Sequence, residues 1–218
     1  MPIQPTQNFQ HLTTQLTDLA NKVKDGLPGD TILQELQQAL RIIESLSTHD
    51  SLTGALNRRG LIEKLTAELD RAKRTGHPFS FAVIAIDRFA ALTEQYGTVA
   101  SNQILQNVTQ AALKLFRSLD SFAHLGDDEF AVILPTTWLD QSEKPFVRLS
   151  NAISDINWNS TKPTVAVSFS TGITTNAPDD NAEKIIRRAG DALVLAKSKG
   201  LGRSAQLEPI LPAIDPNM

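Results

Sequence analysis

Two short apolar runs flank an acidic turn near the middle of the chain, and this arrangement constrains the fold more than any other feature. Ser121 to Leu125 and Glu129 to Leu134 have strand composition, and Gly126-Asp127-Asp128-Glu129-Phe130 joins them too tightly for anything but a β-hairpin. Around the hairpin, helical and strand-like segments alternate. Leu61 to Arg74 is predicted as a helix and Phe79 to Ile86 as a buried strand. Ala100 to Phe116 is predicted as a long helix with Ile104, Leu105, Val108, Ala112 and Leu115 inward. After the hairpin come a helix over Ser142 to Ile156, a strand over Val165 to Thr174, a helix over Ala182 to Lys199 and a short strand at Ala205 to Leu207. Residues 49–207 therefore read as one domain of the α/β (α+β) class.

Upstream, Phe9, Leu12, Leu16, Leu19 and Val23 fall on one helical stripe, which Leu27-Pro28-Gly29-Asp30 ends. Thr31 with Gln34 forms a capping-box signal for a second helix carrying Ile32, Leu36, Ala39, Ile43 and Leu46. Residues 1–48 are thus a helical hairpin lying on the domain or a stalk that pairs with another chain; the spacing fits both. Residues 208–218 hold three prolines and no periodicity and read as a flexible tail. A net charge of −3 supplies no large positive field for a nucleic-acid polymer. The absence of cysteine excludes disulfides, thiolate metal sites and thiol catalysis. The N-terminus lacks signal-peptide character, and runs such as Phe81 to Ile86 are too short to span a bilayer, so a cytoplasmic location without membrane insertion is expected.

Several ordered blocks carry a family resemblance. His49-Asp50-Ser51-Leu52-Thr53-Gly54-Ala55-Leu56-Asn57-Arg58-Arg59 resembles the entry signature D-x-L-T-G-L-x-N-R-R of the GGDEF domain of diguanylate cyclases. Ser168-Phe169-Ser170-Thr171-Gly172-Ile173 resembles a second block, and Arg188-Ala189-Gly190-Asp191-Ala192-Leu193 through Ala196-Lys197 a third. The resemblance implies a central, mostly antiparallel five-stranded sheet flanked by helices, akin to nucleotidyl cyclases, with N-terminal helices leading into it. It also implies bacterial cyclic-di-GMP signalling. Fold alone does not carry activity, so each family site is compared position by position.

Joining two GTP molecules requires a 3′-hydroxyl to attack an α-phosphate while metal ions, Mg2+ or Mn2+, offset the phosphate charge on carboxylates. The resemblance places the first metal carboxylate at Ala85, which cannot ligate; Asp87, two residues on, and Asp128 are the remaining metal candidates. The guanine-reading Asn and Asp of the family correspond to Thr93 and Asn102. A threonine lacks the amide's paired donor and acceptor, and an asparagine loses the charge. The phosphate-side Lys corresponds to Ala90. Lys197 is retained, and the following Arg is Leu201 with Arg203 nearby. In the turn, Asp128 and Glu129 keep the catalytic acidic pair and Gly126 the first glycine, but the second glycine is Asp127. Aspartate tolerates a left-handed backbone, so the turn can survive, whereas a third carboxylate repels a triphosphate. These substitutions predict a catalytically degenerate protein that requires no cofactor of its own.

Arg117-Ser118-Leu119-Asp120 resembles the R-x-x-D pair with which family members bind cyclic-di-GMP, and it lies in register before the turn. An Arg fork can reach guanine O6 and N7, and an Asp can accept from N1–H and N2–H. Arg148 is a third candidate contact by position. The competing account of Arg117 and Asp120 is a surface ion pair of little consequence. The expectation is a protein that binds cyclic-di-GMP and regulates a partner, with GTP as a possible second ligand and the N-terminal helices joining a partner or a second copy. The alternatives are an active diguanylate cyclase and a nucleotide-free interaction scaffold.

Overall fold

The computed structural model describes residues 32–34, 36–38, 47–156, 158 and 166–210. Elements run in the order α1 (Arg58–Thr75), β1 (Phe79–Ile86), α2 (Phe89–Leu115), β2 (Ser121–Gly126), β3 (Glu129–Pro135), a 3-10 turn (Leu139–Gln141), α3 (Lys144–Ser154), β4 (Phe169–Thr175), α4 (Ala182–Ser198) and β5 (Ser204–Leu207). The strands form one sheet in the order β2-β3-β1-β4-β5. Every neighbouring pair is antiparallel except β4 with β5. This is the predicted α+β sheet, and the hairpin closes on the two-residue loop Asp127-Asp128.

The sheet is buried on both faces. Ala82, Ile84 and Ile86 of β1 pack with Phe122, Phe130 and Val132 under α2 and α3. Phe79, Phe81 and Val83 pack on the opposite face with Leu61, Leu65 and Leu69 of α1 and Ile185, Ala189 and Leu193 of α4. α4 lies so close to β4 that a Cβ on Gly172 would come within 2.2 Å of Ala189 O, so only glycine fits there.

Several boundaries differ from the sequence expectation. α1 starts at Arg58 because the Asn57 side chain accepts from Gly60 N–H and caps it. α2 starts at Phe89, eleven residues earlier than predicted, and breaks at Gly97 (φ 81°, ψ 167°), which divides its apolar periodicity in two. β4 begins at Phe169, after Ser168 has turned its hydroxyl and carbonyl toward Asp87. α3 is confined to Lys144–Ser154 because residues 139–141 form the 3-10 turn. Of the N-terminal helices, residues 32–34 and 36–38 are helical, with Leu33 and Leu36 exposed. The stripe from Phe9 to Val23, the cap at Thr31, the seam residues Ala39, Ile43 and Leu46, and the tail beyond Ile210 lie outside the described residues.

Candidate functional site

β1 delivers its last residues to the hairpin turn. Ala85 stands directly across from Glu129 in the β1–β3 register, and Ile86 N–H donates to Asp128 O at 3.1 Å. Glycine and aspartate make the turn possible: Gly126 has φ 117° and Asp127 φ 46°, so Asp127 occupies the left-handed conformation expected of it. Of the turn's acidic residues, Glu129 stands across from Ala85, a position that offers no ligand.

Asp87 is engaged in hydrogen bonds of its own. Its Oδ2 accepts from Ser168 Oγ (2.6 Å) and Gly202 N (2.8 Å), and its Oδ1 from Ser170 Oγ (2.7 Å). β3 and β4 flank β1 on opposite sides, so these bonds draw the carboxylate toward β4 and away from the hairpin. The buried Asp87, a metal candidate with Asp128 on the sequence, is a clamp joining β1, β4 and the α4–β5 loop. Among the described residues, no group of three or more His, Asp or Glu side chains is arranged to hold a metal ion.

The positions matched to guanine reading are also rearranged. Thr93 Oγ1 donates to Phe89 O (3.0 Å) and accepts from Ser101 Oγ (2.9 Å), so it ties the two arms of α2 across the break at Gly97. Asn102 is half-buried, and its amide has no hydrogen-bond partner among the described residues. Lys197 is exposed on the last turn of α4, and Leu201 and Arg203 are exposed on the loop that follows. Among the described residues, no hydrogen bond or ion pair joins Asn102 or Lys197 to Gly126 or Asp127.

The far end of β2 is different. Asp120 Oδ2 accepts from Arg117 N–H at 2.8 Å, and Asp120 N–H donates to Arg117 O at 3.0 Å. The carboxylate thus closes its own turn and makes no ion pair with the Arg117 guanidinium, which corrects the surface ion-pair account. Arg117, Asp120, Lys144 and Arg148 line a cavity of about 360 Å3, with Thr136, Thr137 and Gln141 in its walls. None of the three cations has an ion-pair partner among the described residues, and Asp120 is the only carboxylate in the lining. Burial pushes the Asp120 carboxyl above the usual carboxylate range, and the Arg117 N–H and the charges of Arg117 and Arg148 only partly oppose this. Thr136, on the cavity wall, holds φ 50°, unusual for a β-branched residue, with Oγ1 donating to Pro135 O at 2.7 Å.

A larger cavity, about 670 Å3, lies across Asp120 and Thr136 between α1 and β2. It contains Asp120 but not Arg117, and its Arg71 is already paired with Glu68. The smaller cavity is therefore the one that gathers the predicted pair. Lys144 was not anticipated from the sequence; its position four residues before Arg148 on a helix, hence on the same face, was the available signal.

Comparison with known proteins agrees with this architecture. Residues 47–203 match the family described as "Diguanylate cyclase, GGDEF domain". Diguanylate cyclase DgcP of Pseudomonas aeruginosa is 32% identical over 154 residues, covering 71% of this chain and 23% of that protein. Diguanylate cyclase DosC of Escherichia coli K12 is 28% identical over 179 residues, 80% of this chain and 39% of that one. The chain thus spans well under half the length of these relatives. The GGDEF domain of DgcB from Caulobacter crescentus, solved in complex with c-di-GMP, superposes with TM-score 0.69 at 22% identity over 73% of this chain and 92% of that one, a likeness of fold. With five strands in this order, an acidic hairpin turn and a family match over residues 47–203, the chain belongs to the GGDEF domain family.

Proposed function

We propose that this GGDEF domain acts in cyclic-di-GMP signalling by binding the dinucleotide between Arg117, Asp120, Lys144 and Arg148 rather than by making it. The observation that carries this reading is the cavity with one carboxylate and three cations that have no ion-pair partner among the described residues. Cyclic-di-GMP presents two phosphates and two guanines. Arg117 and Arg148 suit a guanine Hoogsteen edge or a phosphate, Lys144 suits a phosphate as a point charge, and the free oxygen of Asp120 suits N1–H and N2–H. Loss of catalysis is supported by Ala85 opposite Glu129, by the engagement of Asp87, and by Thr93 being bonded within α2. In this proposal residues 49–207 are the sensing unit and residues 1–48 connect it to a partner protein or a second copy. No helix among the described residues is long and apolar enough to cross a membrane. Melting with and without cyclic-di-GMP tests the reading, because a ligand of the native state must stabilise it. The wild-type protein should gain melting temperature and Arg117→Ala should not; equal gains in both would overturn it.

One observation favours a second reading. The turn keeps its backbone form and both acidic residues, as an active diguanylate cyclase would need. Incubation with GTP and Mg2+ or Mn2+ separates the two, since cyclic-di-GMP accumulation supports the cyclase and a flat trace removes it.

A further inference from the structure

β2 joins two places of opposite charge. Ser121, at its start, lines the larger cavity, and Gly126, at its end, opens the acidic turn. α1 contributes Lys64, Arg71 and Arg74 to that cavity. Glu68 pairs with Arg71, whereas Lys64 and Arg74 are exposed and have neither an ion pair nor a side-chain hydrogen bond among the described residues. Two leucines extend the lining at the surface, Leu113 at 53% exposure and Leu119 at 76%. The cavity thus combines available positive charge with apolar surface left in solvent.

The turn carries the complement. Asp127 and Glu129 are exposed and Asp128 is half-buried, and none of the three carboxylates has a partner among the described residues. Two cations stand at this end, Arg88 after Asp87 and Arg203 after Gly202, and neither forms an ion pair with the turn. Leu201, 44% exposed, lies at the same end, because Gly202 N–H donates to Asp87 and Ile86 N–H to Asp128 O. The loop itself is two residues long and follows an exposed glycine, so it is a narrow projection. A strand rises about 3.3 Å per residue, so β2 holds the turn roughly 20 Å from the cavity and the two cannot meet within one chain.

We propose that the larger cavity receives the acidic turn of a second copy of this chain. Asp127, Asp128 and Glu129 of one molecule face Lys64 and Arg74 of the next, and the seated hairpin covers Leu113 and Leu119. Each molecule offers a turn at one end of β2 and a cavity at the other, so the contact is heterologous and extends head to tail. A small, charged contact of this kind is weak and sensitive to salt. The inference stands apart from the dinucleotide reading, since neither Lys64 nor Arg74 lines the smaller cavity.

Sedimentation velocity of the full chain over rising concentration, at low and at high salt, tests it. The wild type should sediment faster as concentration rises at low salt and lose that rise at high salt. The double variants Lys64→Gln/Arg74→Gln and Asp127→Asn/Asp128→Asn should each associate about tenfold more weakly, the change expected from removing two exposed charge pairs. Asparagine tolerates the left-handed backbone of the turn, so the hairpin is kept. An equimolar mixture of the two variants should associate again, because the intact turn of the first fits the intact cavity of the second. Pairing through the N-terminal helices alone would be the same in every variant. A wild type without concentration dependence, association unchanged in either variant, or a mixture no heavier than its components would overturn the proposal.

Discussion

The two ends of β2 pose the same problem, how to place charge near a nucleotide, and meet it in opposite ways. At the hairpin end, Asp127, Asp128 and Glu129 put three acidic residues in succession, Glu129 across from Ala85, which supplies no ligand, while the Asp87 carboxylate is occupied by Ser168, Ser170 and Gly202. At the other end three cations meet one carboxylate across an open cavity, and none of the cations has an ion-pair partner among the described residues. Negative charge without a metal repels phosphate, and positive charge without a partner attracts it. A retained motif therefore matters less than whether its side chains are free: Asp87 survives in sequence but is committed to structure, whereas Arg117 survives and remains available.

The largest expected effect lies in Asp87→Ala. It removes the acceptor for three donors at once, two hydroxyls and a backbone N–H. Unsatisfied buried donors cost about 1–3 kcal/mol each, partly offset by no longer burying a charge, so a net loss of about 2–4 kcal/mol is expected in urea unfolding. The loss should be the same with and without Mg2+ and GTP; a protein of wild-type stability would return Asp87 to the list of ligands.

Next comes Arg117→Ala. Hydrogen bonds to charged groups contribute about 1.5–3 kcal/mol, so cyclic-di-GMP affinity should fall roughly 10- to 150-fold in calorimetry. The unliganded melting temperature should stay put, because the guanidinium has no ion-pair partner among the described residues. A variant that is destabilised yet binds normally would make Arg117 structural and erase the contrast between the two ends.

Asp120 gives the contrast a pH dependence. Its carboxyl is raised in the folded protein, so the stability it contributes is present in acid and is lost as pH rises through the folded pKa. Ligand binding has the opposite sign, because only the ionised group accepts from guanine N1–H and N2–H. Affinity for cyclic-di-GMP should therefore weaken as pH falls into the carboxylate range, and Asp120→Asn should remove that dependence. A calorimetric pH series in which Asp120→Asn tracks the wild type would rule this out.

The smallest effect is expected at the turn. Asp127 already sits at φ 46°, so Asp127→Gly relieves little strain and should alter stability by no more than about 1 kcal/mol. It should produce no cyclic-di-GMP from GTP, since Ala85 still faces Glu129. Product formation by this single variant would show that the acidic end lacks only a glycine.

How far the sequence could reveal these features depended on the distance between partners. The hairpin was legible because its two strands and turn are contiguous. Its left-handed Asp127 followed from what short polar side chains tolerate. Arg117 and Asp120, three residues apart, could be recognised as a pair, but their local bond could not: the carboxylate caps the Arg117 N–H instead of pairing with the guanidinium. The first half of α2 was hidden because its left-handed cap at Arg88 and the break at Gly97 interrupt the apolar period. The role of Asp87 was out of reach, since it depends on Ser168 and Gly202, 81 and 115 residues away. The approach of His124 to Asp50 likewise appears only when the entry segment folds back onto β2.

Calorimetry with cyclic-di-GMP and with GTP plus Mg2+ on one preparation addresses the difference between the two ends most directly. The account predicts heat and saturation with cyclic-di-GMP, abolished or strongly weakened in Arg117→Ala and Asp120→Ala, and far weaker binding of GTP. Tight GTP binding with no response to cyclic-di-GMP would contradict it, because the acidic end of β2 would then be the working one.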